Sequence, residues 1–238
     1  MSVEARQAAE RDRIQALRGG FRERGYVLAR QVIGRNAAML YAQSALMQRD
    51  DYWMPEPAYQ ARGRYADAFG EAILAQLTPL VSEITGRRLE PCYSFLRIYQ
   101  AGPQLRPHRD RPSCEFSVTM HVGKGPGAGD WPIWIEGPDG PSAVSMEPGD
   151  LMVYRGAALS HWREPFHGDV WVQLFLHYVD AEGPYAHYRY DGRRRLGAFR
   201  IGEDQRDLPD PSRLSPEDGC WCGSGLMVKE CHPATLES

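Results

Sequence analysis

The chain contains 238 residues, of which 42% are hydrophobic and 25% are charged, the proportions of an ordinary globular protein. The formal net charge of −3 gives no electrostatic case for a nucleic-acid partner or an anionic membrane surface. No apolar run approaches the roughly 20 residues of a membrane-spanning helix, and the charged N-terminus lacks the apolar core of a secretory signal. We therefore expect a cytoplasmic protein without nucleic-acid or membrane partners.

Residues 1–92 are expected to form a mainly helical support region, because apolar residues recur there at helical spacing. Pro79 is expected to kink or divide the last of its helices. In chain order, the predicted elements are a helix over residues 3–18 that ends at Gly19-Gly20, a short β-prone run within 21–33, a helix capped by Asn36, a loop over 50–63 and a helix over 65–86.

From residue 93 the chain changes to short segments rich in aromatic and β-branched residues, separated by Gly, Pro and Asp. No helix-length pattern intervenes, so these strands should be antiparallel and form a sandwich, a jelly roll or a small barrel. We therefore predict an α+β protein in four parts: the helical region over 1–92, a β core over 93–190, a polar, proline-rich linker over 191–218 and a small terminal module over 219–238.

His108 and Asp110 lie two positions apart just before a predicted strand. Side chains at positions i and i+2 of an extended segment point the same way, so the imidazole and the carboxylate could bind one ion together. His161 is the leading candidate for a third ligand, because its neighbours suggest a strand whereas those of His167 suggest a turn. Two histidines and one carboxylate on one face are typical of non-haem Fe(II) oxygenases.

The order of motifs resembles the prolyl-4-hydroxylase-like and phytanoyl-hydroxylase-like families of Fe(II)- and 2-oxoglutarate-dependent oxygenases. The resemblance covers about residues 20–180. It rests on Tyr99, Gly102, Pro107, His108 and Asp110, then the strand EFSVTMHV, the turn EPGDLMVY, the segment LSHWREP with His161, Gly168 and the last strand VWVQLFLHYV.

This resemblance implies a cupin-like, double-stranded β-helix that binds Fe(II) through His108, Asp110 and His161. It further implies that 2-oxoglutarate and O2 are consumed with release of succinate and CO2. The expected product is a hydroxylated C–H position of a protein side chain or a small molecule. Because Asp110 supplies a third protein ligand, no position is left for a halide, which indicates hydroxylation rather than halogenation.

The residue that binds the far carboxylate of 2-oxoglutarate departs from the family pattern. Prolyl-hydroxylase relatives carry Lys or Arg about two residues after the glycine, where this chain has Val170, and a tyrosine where it has Leu105. A buried dicarboxylate still requires a cation or several donors. We expect Arg163 to take this role with Tyr99 assisting, and Arg97 and Gln173 are further candidates.

The last residues suggest a second metal site. GCWCGSGLMVKECH supplies Cys-x-Cys, eight intervening residues and Cys-His, which match a tetrahedral Cys₃His zinc site. The segment resembles the SEC-C motif, the zinc-binding tail of the bacterial preprotein-translocase ATPase. The resemblance implies that Zn(II) is bound by Cys220, Cys222, Cys231 and His232, and that a protein partner docks on this zinc knuckle.

Two other functions and two other histidines stay open from the sequence. The chain could be a binding protein that keeps the barrel without catalysis and presents its zinc knuckle to a partner. It could instead be a cupin-like dioxygenase that uses iron without an organic co-substrate. His121 could orient a metal ligand, although a packed polar residue is the simpler interpretation, and His177 is expected in core and edge packing.

Overall fold

The computed structural model describes residues 2–102, 104–197, 215–217, Met227 and Lys229. No helix in this described part is both long and apolar enough to cross a membrane. Its helices are α1 (Val3–Arg24), α2 (Arg35–Leu46) and α3 (Ala68–Thr85), and its strands are β1 (Tyr26–Ala29), β2 (Met54–Glu56), β3 (Ala61–Tyr65), β4 (Leu89–Tyr99), β5 (Leu105–His108), β6 (Phe116–Lys124), β7 (Ile133–Gly137), β8 (Gly140–Val144), β9 (Leu151–Tyr154), β10 (His161–Arg163) and β11 (Trp171–Asp180).

The strands form two sheets in which every pairing is antiparallel, as the sequence predicts. The larger sheet has the order β1-β9-β6-β11-β4-β3-β2, and the smaller has the order β5-β10-β7-β8. Side chains of β7, β8 and β9 share one buried cluster, so the two sheets pack against each other. The α+β prediction is thus confirmed, and the arrangement is compatible with a jelly roll.

The two faces of the larger sheet differ in character because side chains alternate along each strand. On β6, Val118, Met120 and Val122 point into the main hydrophobic core, which α1, α2 and α3 cover. The alternate residues Thr119 and His121 contact Gln173 and Trp171 of β11 on the other face. That second face, polar and aromatic, is the one turned towards the smaller sheet.

Helix α1 is longer than expected, since it passes through Gly19-Gly20 and ends only at Gly25. Two glycines in a helix cost about 1 kcal/mol each relative to alanine. Phe21, which is 1% exposed, offsets this by burying its ring beside Phe116 of β6. Gly25 adopts the left-handed conformation with φ of 77° and donates its N–H to Phe21, so it terminates the helix.

Three further local predictions were wrong in detail. The N-cap of α2 is Gly34 rather than Asn36. Helix α3 begins after Asp67, whose side chain accepts from the Gly70 N–H, and it continues past Pro79 without a division. The 50–63 segment is not only loop, because β2 and β3 form a hairpin that extends the larger sheet beyond β4.

The chain after β11 returns to the core instead of leaving it. Arg193 is buried and donates to a carboxylate oxygen of Glu71 at 3.0 Å and to the Cys92 carbonyl at 2.8 Å. Glu71 also accepts from the Ser94 N–H and hydroxyl and from the Gly197 N–H. The first residues of the proposed linker over 191–218 are therefore packed against α3 and β4.

The four proposed zinc ligands, Cys220, Cys222, Cys231 and His232, lie outside the described residues. The zinc knuckle and the boundaries of the four sequence segments consequently stay predictions.

Replacing Glu71 by Ala should lower the free energy of unfolding by about 3–5 kcal/mol, because it leaves the buried Arg193 guanidinium without its carboxylate. Glu83 on the same helix is exposed, so Glu83→Ala should change the value by less than about 0.5 kcal/mol. Urea unfolding at neutral pH measures both. Similar losses in the two variants would show that the buried ion pair does not stabilise this fold.

Candidate metal centre

The structure brings His108, Asp110 and His161 together at one end of the smaller sheet. His108 ends β5 and pairs directly with His161 at the start of β10, while Asp110 follows in the loop. Their ligand atoms all lie within 4.8 Å of one another. The Asp110 Oδ1 is 3.4 Å from His161 Nε2 and 3.8 Å from His108 Nε2. The alternative histidine, His167, is exposed and does not belong to this group.

Backbone carbonyls set the orientation of both imidazoles. His108 Nδ1 lies 2.8 Å from the Arg106 carbonyl, and His161 Nδ1 lies 3.0 Å from the Leu159 carbonyl. A carbonyl can only accept, so each Nδ1 donates to its carbonyl, and this turns each Nε2 towards Asp110. Burial and the neighbouring His161 also lower the pKa of His108, which favours the neutral imidazole that a metal requires.

Asp110 is held as a carboxylate by its surroundings. Burial alone would raise its pKa, but hydrogen bonding and charge interaction with His161, with contributions from His177 and Ser117, lower it to about 2. Its Oδ2 accepts from the Ser117 hydroxyl at 2.9 Å, and its N–H donates to the Gly156 carbonyl at 3.0 Å. The Oδ1 is therefore left for an ion bound between the two histidines.

Sequence reasoning missed His177, which it assigned to packing. His177 is buried, lines the metal cavity and places Nδ1 3.0 Å from the Ser117 hydroxyl that holds Asp110. The alternation along β11 could have indicated this, since His177 shares the inner face with Phe175 and Gln173. His177 is connected to Asp110 through Ser117 of β6, and no sequence pattern near His177 indicates this connection.

A cavity of about 280 Å³ opens beside the three candidate ligands. Aromatic side chains from β4, β9 and β11 form much of its wall, namely Tyr93, Phe95, Tyr154 and Phe175. Tyr154 packs edge-on against His161 with ring centroids 4.9 Å apart. Since the sequence analysis did not consider Tyr154, it is a further cavity residue that only the approach of β9 to β10 reveals.

Arg163 reaches the same cavity as a buried cation that forms no salt bridge with any acidic residue in the described part of the chain. It follows His161 by two positions on β10, and the two side chains share the inner face as expected. Its Nη1 donates to the Trp131 carbonyl and its guanidinium stacks 4.4 Å from the Trp131 ring centroid. Its Nη2 has no hydrogen-bond partner among the described residues, and burial lowers the pKa of the side chain to about 10.

The other co-substrate candidates are already engaged in internal bonds. Arg97 donates to both carboxylate oxygens of Glu56 at 2.6 and 2.7 Å and to the Tyr99 hydroxyl at 2.9 Å. Gln173 accepts from the Trp171 indole at 2.8 Å and donates to the Thr119 hydroxyl at 2.6 Å. Arg97 lines the cavity as part of an ion pair, whereas Tyr99 and Gln173 lie behind the cavity wall.

Gly156 leaves the space that the Asp110 carboxylate occupies. A Cβ on Gly156 would stand 2.4 Å from both Asp110 Oδ2 and Ser117 Oγ, closer than real contacts allow. The sequence RGAAL gave no indication of this requirement, because the crowding comes from residues about 40 positions earlier in the chain.

The donor set fits a divalent transition metal such as Fe(II). Two directed imidazole nitrogens and one ionised carboxylate form a facial set that leaves further coordination positions for other ligands. The adjacent unpaired guanidinium adds a place for an anion, because burying a cation without a counter-charge is costly.

Comparison with known proteins gives likeness in structure only. No family model and no curated protein sequence matches the chain. A Pseudomonas putida prolyl-4-hydroxylase is similar with a TM-score of 0.59 and 16% identity over 70% of this chain and 98% of that one. The α-ketoglutarate-dependent carbocyclase SnoK from nogalamycin biosynthesis is similar with a TM-score of 0.60 and 15% identity. That match covers 85% of this chain and 91% of SnoK.

A third similar structure is the epimerase SnoN, solved with Fe3+, α-ketoglutarate and a nogalamycin compound. Its TM-score is 0.59 at 13% identity, and the match covers 72% of this chain and 85% of SnoN. The chain has the fold of these oxygenases. At such identities the likeness establishes the fold, and it confirms the family of folds predicted from the order of the sequence motifs.

Replacing Gly156 by Ala should weaken metal binding by about 10- to 100-fold, because the added methyl group displaces Asp110 and Ser117. Mn2+ titration followed by electron paramagnetic resonance measures this, since Mn2+ prefers oxygen and nitrogen ligands over thiolates. Gly129→Ala is the matched control, as its Cβ would meet no atom within 4 Å. Equal Mn2+ affinity in the two variants would contradict the assigned role of Gly156.

His121 packs against Trp171 outside the candidate ligand group, and its burial predicts a pH-dependent stability. Its ring stacks on Trp171 at 3.9 Å, and no side chain among the described residues hydrogen-bonds to it. Burial and the charge of Arg163 lower its pKa to about 3. The unfolded chain therefore binds more protons below the ordinary pKa of about 6.5, so the free energy of unfolding falls as pH drops below that value.

His121→Phe keeps the ring stack and removes this proton uptake. Between pH 7 and pH 5, its metal-free form should lose about 1–2 kcal/mol less stability than the unmodified protein does. Urea unfolding with a chelator at both pH values measures the difference. His167→Phe changes an exposed ring and should follow the unmodified protein. If all three lose stability equally, His121 does not stay neutral in the folded state.

Proposed function

We propose that the protein is an Fe(II)- and 2-oxoglutarate-dependent dioxygenase that hydroxylates a C–H bond of a protein side chain or a small molecule. One observation carries the proposal: the His108, Asp110 and His161 donors converge beside a buried, unpaired guanidinium on the same strand as one of them. A metal triad alone would suit many functions. The triad with a neighbouring site for a carboxylate suits an anionic, metal-chelating co-substrate.

His108, Asp110 and His161 would hold Fe(II). When bound, iron and 2-oxoglutarate supply the oxidising power, since O2-dependent decarboxylation to succinate and CO2 generates the oxidant that removes the substrate hydrogen. The protein's part is to fix the ligands. The Arg106 and Leu159 carbonyls hold the imidazoles, and Ser117 holds the carboxylate.

Arg163 would bind the far carboxylate of 2-oxoglutarate through Nη2. A buried carboxylate and a buried guanidinium each carry a large desolvation cost, which direct pairing reduces. Tyr154 lines the same cavity and would support the site by packing its ring against His161. Arg97 is a weaker candidate because Glu56 and Tyr99 already accept from it, and Tyr99 and Gln173 would act only by supporting the cavity wall.

The type of oxidation, the cellular location and the C-terminal zinc site are parts of the same proposal. Asp110 as a third protein ligand favours hydroxylation over halogenation. SnoK and SnoN are named as a carbocyclase and an epimerase, so the fold accommodates other outcomes in those proteins. We also propose that the protein acts in the cytoplasm, and that Cys220, Cys222, Cys231 and His232 bind Zn(II) to dock a protein partner.

Arg163→Gln should raise the KM for 2-oxoglutarate by about 10- to 100-fold, because a charged hydrogen bond contributes about 1.5–3 kcal/mol. Succinate formation from 2-oxoglutarate with Fe(II) and O2 measures it. Arg35→Gln, an exposed arginine on α2, is the matched control and should leave KM unchanged. His108→Ala should abolish turnover; undiminished turnover would reject the proposed function, whereas an unchanged KM in Arg163→Gln would place the co-substrate anchor elsewhere.

A further inference from the structure

A second group of metal-ligating side chains lies on the far side of Asp110. Asp110, Cys114 and His177 each place a ligand atom within 4.8 Å of those of the other two. They come from three separate elements: the loop after β5, the 3₁₀ turn Pro112–Cys114 and strand β11. Cys114 and His177 are buried, so a donor set of sulfur, nitrogen and oxygen is enclosed beside the cavity.

The Ser117 hydroxyl completes this group as a fourth donor. Its Oγ is 2.9 Å from Asp110 Oδ2 and 3.0 Å from His177 Nδ1. A tetrahedral zinc site has bonds of about 2.0–2.3 Å, which place its donors about 3.3–3.8 Å apart. The two Ser117 distances are shorter than this, and the Cys114 sulfur lies within 4.8 Å of the Asp110 and His177 ligand atoms, so side-chain rotations would have to accompany the binding of an ion.

We propose that Asp110, Cys114, Ser117 and His177 form a second metal site, selective for a soft divalent ion such as Zn2+ or Cd2+, that shares Asp110 with the first. Thiolate ligands select zinc and cadmium, whereas the nitrogen and oxygen donors of the first site suit iron. Binding replaces the thiol proton of Cys114, which leaves to solvent, with a metal–sulfur bond. The Tyr93 hydroxyl, 3.2 Å from the sulfur, would donate a hydrogen bond to the thiolate.

Sharing Asp110 makes the second site inhibitory. Asp110 Oδ1 faces His108 and His161, while Oδ2 faces Ser117. An ion on the Oδ2 side withdraws charge from the carboxylate and repels a cation on the Oδ1 side. Soft ions would therefore weaken the first site without occupying it, which differs from simple replacement of iron.

The binding test is equilibrium dialysis of Cd2+ against the full chain in anaerobic buffer with excess Fe(II). Cys114→Ser should bind one fewer Cd2+ than the unmodified protein. Cys92→Ser, which changes a buried thiol outside the group, should bind as many as the unmodified protein. The C-terminal cysteines are present in every variant and contribute equally.

His177→Gln tests the same site from another strand, and circular dichroism checks that each variant is folded. Equal Cd2+ binding by all folded variants would overturn the proposal.

The functional test is inhibition of succinate formation by Cd2+ at saturating Fe(II), with each variant compared with its own uninhibited rate. Half-inhibition of Cys114→Ser should require at least about 10-fold more Cd2+, because one metal–ligand bond is lost. Equal sensitivity would mean that Cd2+ simply displaces iron, and would overturn the inhibitory role. The dialysis does not depend on turnover, so failure of the oxygenase proposal is distinguishable from failure of this one.

Discussion

The Asp110 carboxylate is the group on which the organisation of the whole site depends. It is ionised and mostly enclosed, so both of its oxygens must be satisfied by specific partners. One oxygen faces two imidazoles and the other receives the Ser117 hydroxyl. β5 and β10 of the smaller sheet and β6 of the larger sheet each supply part of this arrangement, so the Asp110 carboxylate connects the two sheets.

The cavity places the three candidate metal ligands beside two arginines whose charges are balanced differently. Arg97 is neutralised by Glu56 inside the protein, but Arg163, more deeply buried, forms no salt bridge with a carboxylate of the described residues, and Asp130 interacts with its charge only from a greater distance. Proteins rarely bury a lone guanidinium, since the desolvation cost is several kcal/mol. An anionic ligand in the cavity would reduce this cost, which is why the proposed function places the far carboxylate of 2-oxoglutarate at Arg163.

Much of the fold and the convergence of His108, Asp110 and His161 could be predicted from sequence because their signals are local. The spacing of His108 and Asp110, the strand periodicity and the order of turns are all encoded in short segments. The predictions that were wrong concerned segments whose structure depends on contacts with residues distant in the sequence. Gly19-Gly20 do not end α1 because Phe21 is buried against Phe116, and the hairpin of β2 and β3 forms because β4 offers an edge for pairing.

The two arginines considered for binding 2-oxoglutarate show the same contrast between local sequence signals and distant contacts. The sequence favoured Arg163 and kept Arg97 as a further candidate, although each shares a strand face with another predicted site residue. Glu56, 41 positions before Arg97, forms an ion pair with Arg97 and makes it the weaker candidate. No local sequence pattern predicts that pairing. Ser117 and His177 were likewise invisible as a support for Asp110, because they meet only when β6 and β11 lie side by side.

The first residues after the last strand contact both the loop that carries Asp110 and the helical part of the chain. Asp191 accepts from Arg111, the residue next to Asp110, and from the Tyr65 hydroxyl, while Arg193 neutralises Glu71. A boundary drawn at the end of β11 would therefore cut through the molecule rather than between modules. Shortening the chain at the end of β11 would therefore also remove a contact to the residue next to the candidate ligand Asp110.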